Sequence, residues 1–266
     1  QYLFKQSVDW DINSRRRLSF FDRDNPPLQS AQCVLSLHML SRQASTARVL
    51  LVNDDSFELA TMSASLRLHS VNVVGEAPNK FIAENLFRAL NPEAILIDLQ
   101  FSGEAAIVLL QKLRNINPAL GIVITTSCPD LRLFGLMESN IPAGAKMILK
   151  RSISDLSVIT GALALSLISA KDGSKMNWIN IHTSIHKEDF ITVLNELTDI
   201  QIETLRLVAQ GLSNSEIAKV RFVSEKSVEQ IVARIAQHLS ITPDRRQNLR
   251  VVLAGEYFKW LGAPRH

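Results

Sequence analysis

From Arg48 onward, short apolar runs alternate five times with longer amphipathic stretches, and this alternation limits the possible folds more than any other feature. The pairs are Val49–Val52 with Phe57–Leu68, Val71–Val74 with Phe81–Leu90, and Ala94–Ile97 with Ala105–Ile116. Ile122–Thr125 with Leu131–Glu138 and Met147–Leu149 with Ile153–Ala170 complete the series. Short runs that are apolar throughout need cover on both faces, and parallel strands obtain it from their crossover helices. The spacing therefore predicts an α/β, (βα)5 doubly wound domain over 47–170. In such sheets ligands and chemistry collect beyond the carboxyl ends of the strands, at the topological switch point.

The residues at those ends form one chemical set. The first strand runs into Asn53, Asp54 and Asp55, the third into Asp98, the fourth into Thr125, Thr126 and Ser127, and the fifth into Lys150. Carboxylates converging in a cleft repel one another and favour a hard cation with oxygen ligands, for which Mg²⁺ is the best match. Such an ion and the Lys150 ammonium would offset the charge on an incoming phosphoryl group, Asp98 would supply a carboxylate nucleophile, and Thr126 a hydroxyl for a phosphoryl oxygen.

This constellation resembles the receiver domain of two-component response regulators. Asp98 lies 44 residues after Asp54 and Thr126 lies 28 after Asp98, both close to the spacing of that family. The resemblance implies Asp98 as phospho-acceptor, Asp54 as main metal ligand, the main-chain carbonyl of Gln100 as a further ligand, and Thr126 and Lys150 as phosphoryl-stabilising groups. The chain departs from the pattern at four places. Asn53 stands first in the usual acidic pair, with Asp55 able to compensate only if the loop shifts by one residue. Met147 replaces a usual aromatic, Ser102 replaces a usual proline, and Thr125 competes with Thr126 as the sensing hydroxyl.

Between Leu197 and Ile241 the chain repeats a helix-opening signal three times. Thr198 with Gln201 and Ser213 with Glu216 fit capping boxes, bracketed by the apolar pairs Leu197/Ile202 and Leu212/Ile217. Ser224 opens a third helix between Val223 and Val228, although Ser227 stands where a Glu would complete the box. Gly211 sits where the first helix must stop. On the third helix Val228, Ile231, Val232, Ile235 and Leu239 form one stripe, and Lys226, Gln230, Ala233, Arg234 and Gln237 lie opposite. The run resembles the LuxR-type DNA-binding domain. That implies a recognition helix beginning at Ser224, with Ser224, Lys226, Ser227, Gln230 and Arg234 as the DNA-binding residues. Ile231, Gln237 and His238 stand where the family carries more polar or basic side chains, so phosphate contacts are expected to be few.

Bulk properties agree. Residues 171–266 carry thirteen Lys/Arg against eleven Asp/Glu and 47–170 carry ten against eleven, so the slight basic excess lies outside the sheet domain. Cys33 and Cys128, without metal-type spacing, indicate neither a disulfide framework nor a zinc site. No run has the length of a membrane span, and the first thirty residues lack an export signal in the expected place, so a cytoplasmic protein is expected. Residues 1–46 are expected to be a flexible N-terminal extension, 171–195 a polar linker, and 196–262 the helix-turn-helix domain. After it, Thr242–Pro243 is expected to open a last helix whose stripe of Leu249, Val252, Leu253 and Tyr257 is either core or a two-fold dimer seam. Together the two resemblances imply a NarL/FixJ/LuxR-type response regulator. Its expected partners are duplex DNA, a sensor histidine kinase and a second copy of itself on DNA, with Mg²⁺ as cofactor and no turnover enzyme activity. The alternatives are a pseudo-receiver transcription factor that works without phosphorylation, and an Asp-nucleophile phosphatase. Against the latter, Gln100 stands where such an enzyme has a second acid.

Overall fold

The computed structural model describes residues 47–101, 103–153, 155–179, 189–242 and 246–262. The N-terminal extension, Ser102 and Pro243 lie outside the described residues. One sheet contains β1 (Arg48–Val52), β2 (Asn72–Ala77), β3 (Ala94–Asp98), β4 (Gly121–Thr126), β5 (Lys146–Leu149) and β6 (Asn177–Ile179). Every neighbouring pair is parallel, in the order β2-β1-β3-β4-β5-β6. Around it lie α1 (Ser56–Leu68), α2 (Lys80–Leu90), α3 (Glu104–Ile116) and α4 (Ser157–Asp172). Alternate strand residues feed two cores. Leu50, Ile95, Ile97, Ile122 and Ile124 meet Phe87 of α2 and Ile107 and Leu110 of α3. On the other face Val49, Leu51, Leu96 and Val123 meet Leu66 of α1 and Ile159 and Leu163 of α4. The strand order reverses between β1 and β3, so the loops after Val52 and Asp98 border one crevice.

Two sequence expectations are corrected here. The helix expected over Leu131–Glu138 does not form; two 3-10 turns, Leu131–Phe134 and Glu138–Asn140, take its place. Gly135 stops the first turn in the left-handed region at φ 73°, a conformation that costs glycine little. The polar linker expected over 171–195 is instead structured in part, because β6 adds a sixth strand. The buried Lys146 donates from Nζ to Asn177 Oδ1 at 2.7 Å, and Asn177 N donates to Ala145 O at 3.1 Å, which fixes that register.

The C-terminal helices are α5 (Asp189–Glu196), α6 (Asp199–Ala209), α7 (Asn214–Arg221), α8 (Glu225–His238) and α9 (Leu249–Trp260). At α6 both halves of the capping box form: Gln201 N donates to Thr198 Oγ1 at 3.3 Å and Thr198 N to Gln201 Oε1 at 2.8 Å. At α7 only Glu216 N→Ser213 Oγ (3.2 Å) forms, since Glu216 turns its carboxylate to Lys219. Gly211, at φ 86°, ends α6 with the paired bonds Gly211 N→Val208 O and Leu212 N→Leu207 O of a Schellman turn. The last helix starts at Leu249, capped by Asn248 Oδ1, later than the Thr242–Pro243 signal suggests. Its Leu253, Tyr257 and Trp260 are buried in this chain's own core, so the stripe is not a free dimer seam here.

The two halves of the described chain meet at the short turn that replaces the missing helix. Leu131 and Leu136 fill a sheet core while Leu133 and Cys128 fill the helical one. Arg132 uses all three guanidinium nitrogens at this joint. It grips Asp130, donates to the carbonyls of Leu194 and Leu197 at 2.9 and 3.0 Å, and reaches Asp199 Oδ1 at 2.9 Å. Tyr257 Oη donates to Leu133 O at 2.6 Å. Arg132→Ala leaves these carbonyls without their cationic donor and should cost on the order of 1–3 kcal/mol in denaturant unfolding. Amide exchange should rise at 130–136 and 194–199 and stay unchanged at β1 and β3.

Candidate functional site

Asp98 ends β3 and is 4 % exposed. Lys150, just past β5, donates from Nζ to Asp98 Oδ2 at 2.8 Å. The same ammonium lies 2.7 Å from Oε1 of Glu58, a residue in the first turn of α1 that the sequence reading passed over. Asn53 Nδ2 donates to Glu58 Oε2 at 3.0 Å, and Asn53 Oδ1 accepts from Asp55 N at 2.9 Å. Asp55 in turn caps α1, accepting from Glu58 N at 2.8 Å. Its carboxylate thus serves the helix, and the one-residue loop shift that would have let it replace Asn53 is not seen. Glu58 lies four residues beyond Asp54, one helical turn into α1, and that spacing was the available signal for it.

Asn53, Asp54, Asp55, Glu58, Asp98, Gln100, Ser127 and Lys150 all line one cavity of about 410 Å³. Asp54 is exposed. Gln100 N donates weakly to Asp98 Oδ1 at 3.4 Å, and Ser127 Oγ donates to Gln100 Oε1 at 3.1 Å. Thr126 is fully buried and does not line this cavity: its hydroxyl donates to Cys128 O at 3.2 Å and accepts from Cys128 N at 3.1 Å. Thr125 is the residue in register with Asp98, its hydroxyl directed at Ile97 O at 3.5 Å. Met147 is wholly buried in a sheet core.

Burial pushes the Asp98 carboxyl above its ordinary range; the hydrogen bond and charge of Lys150 pull it down, and Glu58 adds to the rise. Burial alone would lower Lys150, but its bonds to Asp98 and Glu58 outweigh that and hold it above the usual lysine value. Both directions follow from position, since Asp98 is the deeper group and Lys150 answers two carboxylates. Among the described residues no three His, Cys, Asp or Glu side chains converge as a ready-made metal cage. The donors around the cavity are nonetheless oxygens, and a hard ion that keeps several waters needs only one or two carboxylates. Asp54, Asp98 and the Gln100 carbonyl fit that requirement.

The second candidate surface is α8. Val228, Val232 and Ile235 are buried in the helical core and Ile231 packs partly against it, while Lys226, Gln230, Ala233, Arg234 and Gln237 are exposed. Ser224 Oγ accepts from Ser227 N at 3.1 Å and lies 2.8 Å from Ser227 Oγ, which fixes the helix start. Glu225 and Glu229 are also exposed there and offset the two cations, a feature the sequence reading did not weigh.

Residues 195–251 match the family of bacterial regulatory proteins of the luxR type. The transcriptional regulatory protein LiaR of Bacillus subtilis is 27% identical over 202 residues, covering 75% of this chain and 93% of LiaR. The nitrate/nitrite response regulator NarP of Escherichia coli is 26% identical over 205 residues, covering 75% and 91%. The chain is thus similar to response regulators of the NarL/FixJ/LuxR type, through residues 195–251 and along most of the length of these relatives. Its relatives are named as transcriptional regulators, not as enzymes. Among solved structures, a complex of the response regulator RcsB with DNA aligns over 81% of this chain and 98% of its own, at 20% identity and TM-score 0.44. No helix among the described residues is long and apolar enough to cross a membrane.

Because the folded value of Asp98 lies above its unfolded one, the fold prefers the protonated carboxyl. The cost of ionising it in place is absent below the unfolded range, about pH 3.9, and is fully present above the raised value. Asp98→Asn should therefore raise the thermal midpoint near neutral pH. That advantage should shrink as pH falls through the raised value and vanish in acid, which thermal melts of both proteins from acid to neutral pH would reveal.

Proposed function

We propose that this protein is a response regulator, a transcription factor switched by phosphorylation of Asp98 by a sensor histidine kinase, acting with its DNA in the cytoplasm. The observation that carries this reading is a buried carboxylate at the end of a parallel strand, held by a lysine ammonium, in one chain with an exposed polar helix face of DNA-reading type. In the reaction an Asp98 oxygen attacks phosphorus, the P–N bond to the donor imidazole breaks, and the acyl phosphate forms as the imidazole leaves. Asp54, Asp98 and the Gln100 carbonyl would hold Mg²⁺, which when bound supplies positive charge to the transferring oxygens. Lys150 steadies the Asp98 carboxylate and can follow the charge onto the phosphoryl group. Thr126 would meet that group by turning its hydroxyl away from Cys128.

On the DNA side, the N-terminus of α8, with Ser224 and Ser227, suits a phosphate. Lys226, Gln230 and Arg234 reach base edges or backbone in the major groove, with two copies on adjacent half-sites. A second reading is favoured by Asn53 and Glu58: a pseudo-receiver in which the Glu58 carboxylate already occupies Lys150 and no phosphoryl group is taken.

Intact-mass measurement after incubation with acetyl phosphate and Mg²⁺ decides between them. One added phosphoryl group is expected on the parent and none on Asp98→Asn; equal labelling of both, or of neither, overturns the assignment. For DNA, Gln230→Ala should cost about 1–3 kcal/mol and relax specificity at one base position. Arg234→Ala should weaken cognate and scrambled duplexes alike and flatten the salt dependence. If neither substitution alters binding while binding is measurable, α8 is not the reader.

A further inference from the structure

The cavity at Asp98 is not built by the sheet domain alone. Phe258, Leu261 and Gly262, at the end of α9, line it together with Asp98 and Lys150. The contact is specific: the Gln100 side-chain amide donates to Leu261 O, and a Cβ placed on Gly262 would come within 2.6 Å of Ser127 Cβ. Gly262 holds φ 78°, so the chain turns there at little cost and its backbone lies against the loop after β4. Tyr257, one helical turn before, anchors α9 through Leu133 O. Docking in this way leaves the reading face of α8 exposed, so what the joint covers is the phosphorylation pocket and not the DNA-reading surface.

We propose that the end of α9 is a roof over Asp98 that selects phosphodonors by size. The inference rests on Asp98 being the phospho-acceptor. A cavity of about 410 Å³ has room for a small acyl phosphate. A phosphohistidine carried on a helix is different: its phosphorus must come within about 3–3.5 Å of the attacking oxygen, and the helix bearing it is about 10–12 Å across. Asp98 is 4 % exposed, and Phe258 and Leu261 line the same cavity. Protein-borne phosphoryl groups therefore reach it only when α9 lifts, whereas acetyl phosphate reaches it with α9 docked. In both cases an Asp98 oxygen bonds phosphorus; the bond to acetate oxygen breaks in one and the bond to imidazole nitrogen in the other, and acetate or imidazole departs. Phe258, Leu261 and Gly262 thus determine donor specificity without touching the reacting atoms.

The test uses the full chain with Ser127→Cys, Gly262→Cys and Cys33→Ser, oxidised and then reduced. Cys128 is buried and its thiol is pushed up to about 12, so it stays outside the exchange. The backbone at Gly262 has to move outward by about 1 Å to reach the Cβ separation of a disulfide. A second variant, ending at Trp260, removes the roof outright and guards against a lock that distorts the pocket. Donors are acetyl phosphate and a histidine-phosphorylated phosphotransfer domain, with labelling followed by intact mass. The expected result is acetyl phosphate labelling within about threefold in all forms. Transfer from the protein donor should drop roughly tenfold or more on oxidation, recover on reduction, and be fastest in the truncated chain, because its rate follows the open fraction. Equal protein-donor rates in locked, reduced and truncated chains overturn the roof, as does protein-donor failure in all three while acetyl phosphate labels them. If acetyl phosphate labels none of the forms, the phosphorylation reading itself fails.

Discussion

The Arg132 guanidinium holds together the part of this molecule on which its two halves depend. The segment between β4 and β5 cannot be a helix past Gly135, so its backbone needs partners from elsewhere. Arg132 supplies the connection, with Asp130 fixing its orientation from behind and the carbonyls at the end of α5 accepting in front. Those carbonyls are among the unpaired acceptors every helix leaves at its C-terminus, where a cation is also favoured by the helix dipole. One side chain therefore completes a helix end and ties it to the loop after the fourth strand. The apolar contacts of Leu133, Cys128 and Tyr257 then assemble around that joint.

Charge at the Asp98 pocket is distributed differently from what a pair of adjacent acids would give. Asn53 contributes an amide, and the amide binds Glu58, so the carboxylate missing from the loop returns from the first turn of α1. Lys150 then bridges Asp98 and Glu58, and the buried Asp98 keeps a partner whether or not a cation is present. An unpaired buried carboxylate would carry the full desolvation penalty. This arrangement lets the fold tolerate Asp98 in its charged form.

The α8 surface shows a similar economy. Its cap, buried stripe and exposed polar face are those of a reading helix, but Glu225 and Glu229 sit among Lys226 and Arg234. The charges on this face nearly cancel, so counterion release would contribute little to affinity for DNA.

The sequence by itself determined four of the five expected strand–helix pairs and all five of their strands, the three capped helices with Gly211 between the first two, and the identity of the residues at the strand ends. These are legible because period, caps and glycine conformations are local, and each is set by neighbours within about a turn or a strand. Tertiary structure decided the rest. It converted Leu131–Glu138 from helix to turns, since Gly135 and packing against α6 and α9 outweigh helical propensity. It drew Asn177–Ile179 into the sheet through a contact with Lys146, and it brought Glu58 rather than Asp55 to Lys150 because Asp55 is committed to capping α1. It also brought the end of α9 to the cavity that Asp98 lines. Contacts between residues more than a hundred positions apart leave no periodic trace in the chain, so no reading of spacing could have found them.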